Sequence, residues 1–351
     1  MNRLPLAALA CLCLVACNTT GPRNYLVLEN DMLRPGSTSD DNYTSGMRFG
    51  HLEPLDEVEE RGTQSLARWM RGIGEWVWQE DLSTRQHLTD FSINQTQFTP
   101  KDKANPDFIP DDRPYAAHLD FRFALHSQVL ADNPEGIGDR LITTEIGIGM
   151  VGPAALGSET QNLVHDIIGS VDTRAGGEHQ LGAEPTLQLT STRLERHARL
   201  GRYGFGMDVS SRLSAALGTV HVYGSAGFEV RAGYNLGRDF GPASFHQSPA
   251  LSFQPVPDRE ERRAPEHSLV LSGGMDVRGV AHNLFLDGGT FQDGPAMDRY
   301  DAVRDFHWGL EYRYRRWFAR WVQVTRSREF AEYEEQYHRF GSLQFGWHGS
   351  F

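Results

Sequence analysis

The sequence has only three cysteines among its 351 residues, and all three lie within the first 17 positions. They are Cys11, Cys13 and Cys17. The body of the chain therefore has no disulfide, no zinc–thiolate site and no cysteine nucleophile.

Long apolar runs are also missing. After the first 20 positions no run of about 18 consecutive apolar residues occurs, which excludes a bundle of transmembrane helices. A membrane β-barrel is not excluded in this way, because only half of the residues in its strands are apolar.

Basic residues are outnumbered. The chain has 34 lysines and arginines against 46 aspartates and glutamates, a formal net charge of -12. A nucleic-acid partner requires a basic face, so none is expected.

The standard catalytic motifs are absent as well. There is no Gly-x-Ser-x-Gly elbow, no phosphate loop and no His-Glu-x-x-His. His246 and Ser248 resemble the His-x-Ser of barrel phospholipases, but they lie between Pro242 and Pro249 in a predicted loop, which favours ordinary loop residues. Water activated by a histidine, with or without a metal, is the chemistry that remains.

The N-terminus has the pattern of a secretory signal. Arg3 is followed by an uncharged, apolar stretch, so residues 1–16 are interpreted as a signal peptide. Residues 14–17 also fit a lipobox with lipid attached to Cys17, and ordinary cleavage nearby is the alternative. Residues 17–351 are expected to form one domain.

The dominant pattern in that domain is alternation of apolar and polar residues. It is clearest in residues 117–125, 220–234, 269–277 and 306–314. Each run covers roughly nine to fifteen residues, longer than the usual globular strand of about five or six and suited to a tilted strand that crosses a bilayer. The pattern predicts an all-β fold, a transmembrane antiparallel barrel, with a soluble β-sandwich as the alternative.

The C-terminus supports the membrane interpretation. Residues 343–351 alternate and end in Phe351, which resembles the assembly signal of outer-membrane barrels. We therefore expect location in the bacterial outer membrane and recognition of Phe351 by the barrel assembly machinery.

Three segments interrupt the alternation. Residues 61–82 have apolar residues at helical spacing, residues 239–265 are rich in proline and charge, and residues 157–170 begin with a capping-box pattern and predict a short amphipathic helix. With so much of the chain in insertions, about ten to fourteen strands of about ten residues fit.

Four separated motifs carry a family resemblance. They are Glu29-Asn30-Asp31, Asn42-Tyr43-Thr44-Ser45-Gly46, Asp112-Arg113-Pro114-Tyr115-Ala116, and Val151-Gly152-Pro153-Ala154 followed by Thr160-Gln161-Asn162 and His165. Together they resemble the LpxR-like family of outer-membrane lipid A 3'-O-deacylases, and residues 326–330 and 340–343 extend the match. The resemblance implies a monomeric barrel of about twelve strands with short helical insertions near the outer rim. It also implies a calcium-dependent site there that hydrolyses the 3'-linked acyl chain of lipid A, the substrate within lipopolysaccharide.

The resemblance assigns roles to four residues. His165, the only histidine on the predicted helix, would be the general base, since an imidazole accepts a proton near neutral pH. Without the resemblance, a lone histidine there would more often be structural. Asp31 would bind Ca²⁺ through a hard carboxylate oxygen, Asn30 would hold the metal site or the substrate carbonyl, and Thr44 would position water or substrate.

Two features of the pattern qualify these roles. Adjacent strand residues face opposite ways, so Asn30 and Asp31 can serve together only if the strand ends or bulges there. Some family members carry an acidic residue where this chain has Val171, with Asp172 next to it. A barrel phospholipase and a non-enzymatic pore or structural protein therefore remain as alternative functions.

Overall fold

The computed structural model describes most of the chain from Arg23 to His348. The described residues are 23–33, 42–55, 64–83, 85–101, 109, 111–160, 162, 180–240, 267–315, 317–333 and 335–348. The signal peptide, Cys17, His165, Val171, Asp172, the His246–Ser248 segment and Phe351 lie outside them.

Twelve antiparallel strands close into one barrel, in which each strand pairs with its neighbours in sequence and β1 pairs with β12. This confirms the predicted fold class. The strands are β1 Arg23–Asn30, β2 Asn42–Pro54, β3 Gln86–Thr99, β4 Ala116–Val129, β5 Arg140–Val151, β6 Glu184–Arg202, β7 Phe205–Gly218, β8 His221–Tyr234, β9 His267–Asn283, β10 Ala302–Tyr314, β11 Trp317–Ser327 and β12 Tyr337–His348.

The alternation in sequence places apolar side chains outside and polar ones inside. On β10, Phe306, Trp308 and Leu310 are exposed on the outer face, whereas Asp305 and His307 are buried in the lumen. This is the arrangement of a barrel that faces lipid outside and polar groups inside.

Ion pairs fill the described lumen. Arg48 Nη2 lies 2.8 Å from Glu145 Oε2, and Arg122 Nη1 lies 2.7 Å from the other oxygen of the same carboxylate. On other strands, Arg231 Nη2 lies 2.6 Å from Asp208 Oδ2. These pairs hold strands together across the interior, since buried charges are tolerated only when they are paired.

The barrel has two rims. The loop rim lies where β1 ends and β2 begins, and the terminal rim holds Arg23 and His348, which pair with each other. At the terminal rim, residues 236–240 turn into the barrel mouth. The side chain of Arg196 donates to the carbonyls of Arg238 and Asp239, and the Asp239 carboxylate pairs with Arg231 and Arg313.

The β2–β3 connection at the terminal rim contains helix α1, Gln64–Trp78, within the segment predicted to be helical. A second, one-turn helix, α2, covers Leu284–Asp287 at the loop rim. None of the helices within the described residues is both long enough and apolar enough to cross a bilayer.

Candidate functional site

The first strand ends at the residue where the motif requires it to end. β1 stops at Asn30, and Asp31 begins a 3-10 turn that runs to Leu33. The turn lies against β12 because Gly341 has no side chain: a Cβ there would be 2.7 Å from Leu33. Because Asp31 lies outside the strand, strand geometry does not force Asn30 and Asp31 onto opposite faces. Asp31 is fully buried.

Asn30 belongs to a row of residues on the outer face of five neighbouring strands. The row runs from Gly341 through Asn30, Ser45 and Gln97 to Ala117, each paired with the next across the sheet. Neighbouring strands lie about 4.8 Å apart, so Asn30 and Gln97 are separated by about 10 Å. We call these five residues the outer row.

Thr44 lies next to the outer row because β2 has a bulge at this residue. The pairing of β2 with β3 shifts register between Tyr43 and Ser45, which leaves Thr44 as the extra residue. Its buried hydroxyl lies 2.6 Å from the Thr99 hydroxyl at the end of β3.

The other residues of the Tyr-Thr-x-Gly motif fix this bulge from inside. The Tyr43 hydroxyl donates to Glu29 Oε2 over 2.8 Å, and the ring packs against Phe340 with 4.9 Å between centroids. A Cβ on Gly46 would lie 2.1 Å from the Tyr43 hydroxyl, so only glycine leaves room for the tyrosine.

Two glutamines add polar groups that the sequence analysis missed. Gln95 and Gln97 lie on the same face of β3 as Phe91 and Ile93, where lipid-facing residues are expected to be apolar. Gln97 Nε2 donates to Gln95 Oε1 over 3.2 Å, and Gln97 Oε1 accepts no hydrogen bond from the described residues. The sequence of β3 could have indicated them, because its polar residues occur at both odd and even positions and therefore on both faces of the strand.

The segment after β5 covers this polar surface. Gln95 Nε2 donates to the carbonyl of Ala155 over 2.7 Å, and the amide of Gly152 donates to the carbonyl of Ala117 over 2.9 Å. A Cβ on Gly157 would lie 2.3 Å from that of Ala117, so the segment lies directly on the barrel wall.

The short helix begins at Gly157, the first residue of the segment predicted to be helical, but Ser158 lies inside its first turn and is not the N-cap: the first helical hydrogen bond runs from the Thr160 amide to the Leu156 carbonyl over 3.1 Å. Residues 157–160 and 162 are helical. The structure thus brings the beginning of the predicted helix against the outer row at Ala117. His165 is the next residue of the motif along the chain, and its position lies outside the described residues.

The Asp-Arg-Pro-Tyr motif lies elsewhere, on the inner side of the wall. Arg113 is buried between the rings of Phe98 and Phe330, at 4.4 Å and 5.7 Å from their centroids, and 3.9 Å from Glu329 Oε2. Burial lowers the pKa of Arg113 to about 10, although Glu329 opposes the shift. Arg113 therefore lies on the inner side of the wall, and the last residue of the motif, Ala116, directly precedes Ala117 of the outer row.

The described residues line a small cavity at the loop-rim end of the lumen. Its volume of about 10 Å³ is roughly the space that one water molecule needs. Its lining includes Phe98, His221, Tyr223, Arg278 and Glu329.

The oxygen atoms available as metal ligands near the outer row suit a hard cation. No group of three or more histidine, cysteine, aspartate or glutamate side chains that could hold a metal occurs among the described residues. Ca²⁺, however, also accepts amide oxygens, and the Asp31 carboxylate and the amide oxygens of Asn30 and Gln97 are of this type. The residues present therefore fit calcium better than a soft metal.

Comparison with known proteins places the chain among outer-membrane barrels. The family model described as Outer membrane protein LpxR matches residues 4–349. The solved structure of LpxR from Salmonella typhimurium matches with a TM-score of 0.68 and 18% sequence identity, over 93% of this chain and 99% of that chain.

Other matches are weaker. The COG4313 outer membrane channel from Pseudomonas putida F1 matches with a TM-score of 0.41 and 9% identity, over 95% of this chain and 97% of that chain. No curated protein matches the chain.

Proposed function

Because the chain belongs to the family described as Outer membrane protein LpxR, we propose that it is a lipid A 3'-O-deacylase of the bacterial outer membrane. It would hydrolyse the ester of the 3'-linked acyl or acyloxyacyl chain, as the motif resemblance implies. The observation that carries this proposal is the outer row with Thr44 and Thr99. Polar groups at the loop rim lie on the lipid-facing side of the wall.

The position of the polar groups favours a membrane-bound substrate. A lipid in the surrounding leaflet reaches the outer face by lateral diffusion, without leaving the bilayer. Amides on such a face are costly against hydrocarbon, so their cover by residues 152–157 supports a specific site between the wall and this segment.

We assign the proton transfers to His165. Its imidazole would take a proton from water as the water oxygen attacks the ester carbonyl carbon. The same proton then passes to the sugar oxygen as the ester bond breaks, which releases a free fatty acid and a 3'-hydroxyl. Asp172, in place of the acidic residue absent at Val171, is our candidate for orienting the imidazole.

The remaining residues bind and position. Thr44 would hold water or the ester by its hydroxyl, and Asn30 would donate an amide hydrogen to the ester carbonyl. Asp31, with amide oxygens from Asn30 or Gln97, would hold Ca²⁺. When bound, calcium supplies positive charge beside the oxygen on which negative charge develops.

Mass spectrometry of lipid A separates the candidate functions. Cells that express the protein should lose the 3' acyloxyacyl unit, whereas cells that express His165→Ala should keep it. Formation of lysophospholipid instead would indicate a phospholipase, and no lipid change would indicate a pore or structural protein. Heat-dependent gel migration of both proteins would show that each barrel is folded.

Calcium dependence distinguishes Asp31 from His165. Asp31→Ala should raise the calcium concentration that gives half-maximal activity, because a lost ligand lowers affinity and concentration can offset it. His165→Ala should lose about a hundred- to ten thousand-fold in turnover at every calcium concentration, because the base is missing. Activity of purified protein in a chelator, titrated with calcium, measures both effects.

A matched control is Asp301→Ala. Asp301 is also a loop-rim carboxylate, but its side chain is 90% exposed, and its ion pair among the described residues is with Arg299, 3.1 Å away. This variant should keep the wild-type calcium dependence. Full wild-type activity in excess chelator, or an active His165→Ala protein, would contradict the mechanism.

A further inference from the structure

Helix α1 packs on the outside of the barrel wall. Trp78 Nε1 donates to Ser191 Oγ over 2.8 Å, and Ser191 lies beside Thr144 on the outer face. A Cβ on Gly74 would lie 3.1 Å from Thr144 Oγ1. Ala67 and Met70 are buried in one cluster with the outward-facing side chains of β4, Phe123 and Leu125.

The alternation of the strands establishes that this is the outer face. Thr143 and Glu145, on either side of Thr144, bond to lumen residues of β4. Phe121, two residues before Phe123, is 65% exposed. The helix therefore covers part of the surface that would otherwise meet lipid.

The helix leaves a second apolar sector uncovered. At 100° per residue, four apolar residues lie side by side next to the wall-facing sector. Trp76 is 76% exposed and Trp69 is 51% exposed. These are the four residues, which we call the free sector: Leu66, Trp69, Ile73 and Trp76.

A third sector, on the other side of the helix, is polar. It contains Arg68, Arg71 and Glu75, of which Arg71 and Glu75 lie 3.6 Å apart. The helix thus presents three adjoining surfaces to three surroundings: the wall, an apolar phase and a polar phase.

The free sector continues the lipid-facing wall. Phe121 and Ile148 are exposed on the outer faces of β4 and β5, which the helix contacts, and Phe91 is exposed on the outer face of the neighbouring strand β3. Because the strand number is even, β1 begins and β12 ends at the same rim, the terminal rim, and a barrel inserted from the periplasm keeps these strand ends on the periplasmic side. The helix connects β2 and β3 at that same rim.

We propose that α1 is an in-plane membrane anchor that binds the phospholipid leaflet facing the periplasm. The free sector lies among the acyl chains near the glycerol level, and the polar sector faces the headgroups and water. Tryptophan favours this boundary because one part of its ring is apolar and the other donates a hydrogen bond. Interfacial helices of this composition bury their apolar face about 5–10 Å below the headgroups.

Spin labels on the helix test this arrangement. Trp76→Cys on the free sector and Arg68→Cys on the polar sector are each labelled with a nitroxide in phospholipid vesicles, after Cys11, Cys13 and Cys17 have been changed to serine. Oxygen, which concentrates in the bilayer, should collide more often with the label at position 76. A water-soluble nickel complex should collide more often with the label at position 68.

Two controls complete the experiment. Trp308→Cys, on the lipid-facing surface of β10, gives the reference for a label in lipid, and Trp69→Cys replaces Trp76→Cys if that variant does not fold. A label on the free sector that the nickel complex reaches as it reaches position 68 would overturn the proposal. So would a label that neither reagent reaches, because a protein partner would then cover the sector.

Discussion

At the scale of single residues, Thr44 shows how one extra residue can make a site. The bulge turns the Thr44 hydroxyl towards that of Thr99, 2.6 Å away, on a face of the wall where regular strand geometry places apolar side chains. The hydrogen bond between the two hydroxyls uses only one of their two O–H groups, so the accepting hydroxyl keeps its O–H for a ligand and both oxygens keep lone pairs. The bulge therefore creates hydrogen-bonding capacity at the wall without opening the barrel.

Thr44→Val tests this capacity. The substitution keeps the shape of the side chain and removes the hydroxyl, so deacylation should fall by about tenfold, the value of one hydrogen bond of about 1.4 kcal/mol in the transition state. Stability of the barrel, measured by urea unfolding in micelles, should fall by only about 1 kcal/mol.

The control is Thr192→Val. Thr192 donates to Ser214 over 2.9 Å, which is the same kind of buried hydroxyl pair, but it lies in the lumen between β6 and β7. This variant should lose similar stability and keep its activity. Equal loss of activity in both variants would show that Thr44 has no role beyond structure.

At the scale of elements, Gly152 determines where the segment that leads to His165 starts. Its φ of 85° is a conformation that favours glycine, and a Cβ there would lie 2.5 Å from the carbonyl oxygen of Gly182. The turn at Gly152 directs the chain back onto the outer face of the wall at Ala117. The direction of the short helix therefore depends on one residue at the end of β5.

Gly152→Ala should displace this segment while the strands stay paired. We expect activity to fall about a hundredfold or more, because the base no longer lies near the ester. Gly138→Ala is the control, since its φ is 86° but its Cβ would have no neighbour closer than 3.7 Å, and it lies at the opposite rim. Both variants bear backbone strain of about 1–3 kcal/mol, and only Gly152→Ala should lose activity.

The elements also show what sequence alone can give. Alternation predicted the barrel, and helical spacing predicted α1, because each depends on local period. The local pattern of α1 did not indicate that the helix lies outside the wall. That position follows from its contacts with Thr144 and Ser191, which are far away in sequence.

The site was predictable only through its motifs. Asn30, Asp31 and Thr44 were found by their order along the chain, and the structure places Asn30 and Thr44 on one stretch of wall. Gln95 and Gln97 were not predicted because β3 has polar residues on both faces, so its sequence shows no alternation that would identify the outer face. The bulge at Thr44 depends on pairing with β3, which no local pattern encodes.

At the scale of the whole molecule, paired charges decide whether the barrel is open. Arg48 and Glu145 are separated by 97 positions in sequence, yet they form a buried ion pair in the lumen. Such a pair is costly to break, by about 3–5 kcal/mol, because one charge is then left buried and alone. Such pairs among the described residues resist opening of the lumen, so we expect the barrel not to conduct ions as an open pore.

The final prediction concerns conductance and its pH dependence. The protein should show no channel steps in planar bilayers at pH 7, because residues 236–240 are held in the mouth by Arg196 and by the pairs of Asp239.

Burial raises the pKa of Asp239, but Arg313 and Arg231 outweigh burial and hold that pKa well below its usual range. The stabilisation from Asp239 is therefore fully present above its unfolded pKa of about 3.9 and is lost only as pH falls through the lower folded value. Acidification to pH 5 should leave the bilayer silent, whereas Arg196→Ala should release the segment and produce steps at pH 7. Channel steps from the wild type at either pH would mean that the mouth is open and that a pore function must be reconsidered.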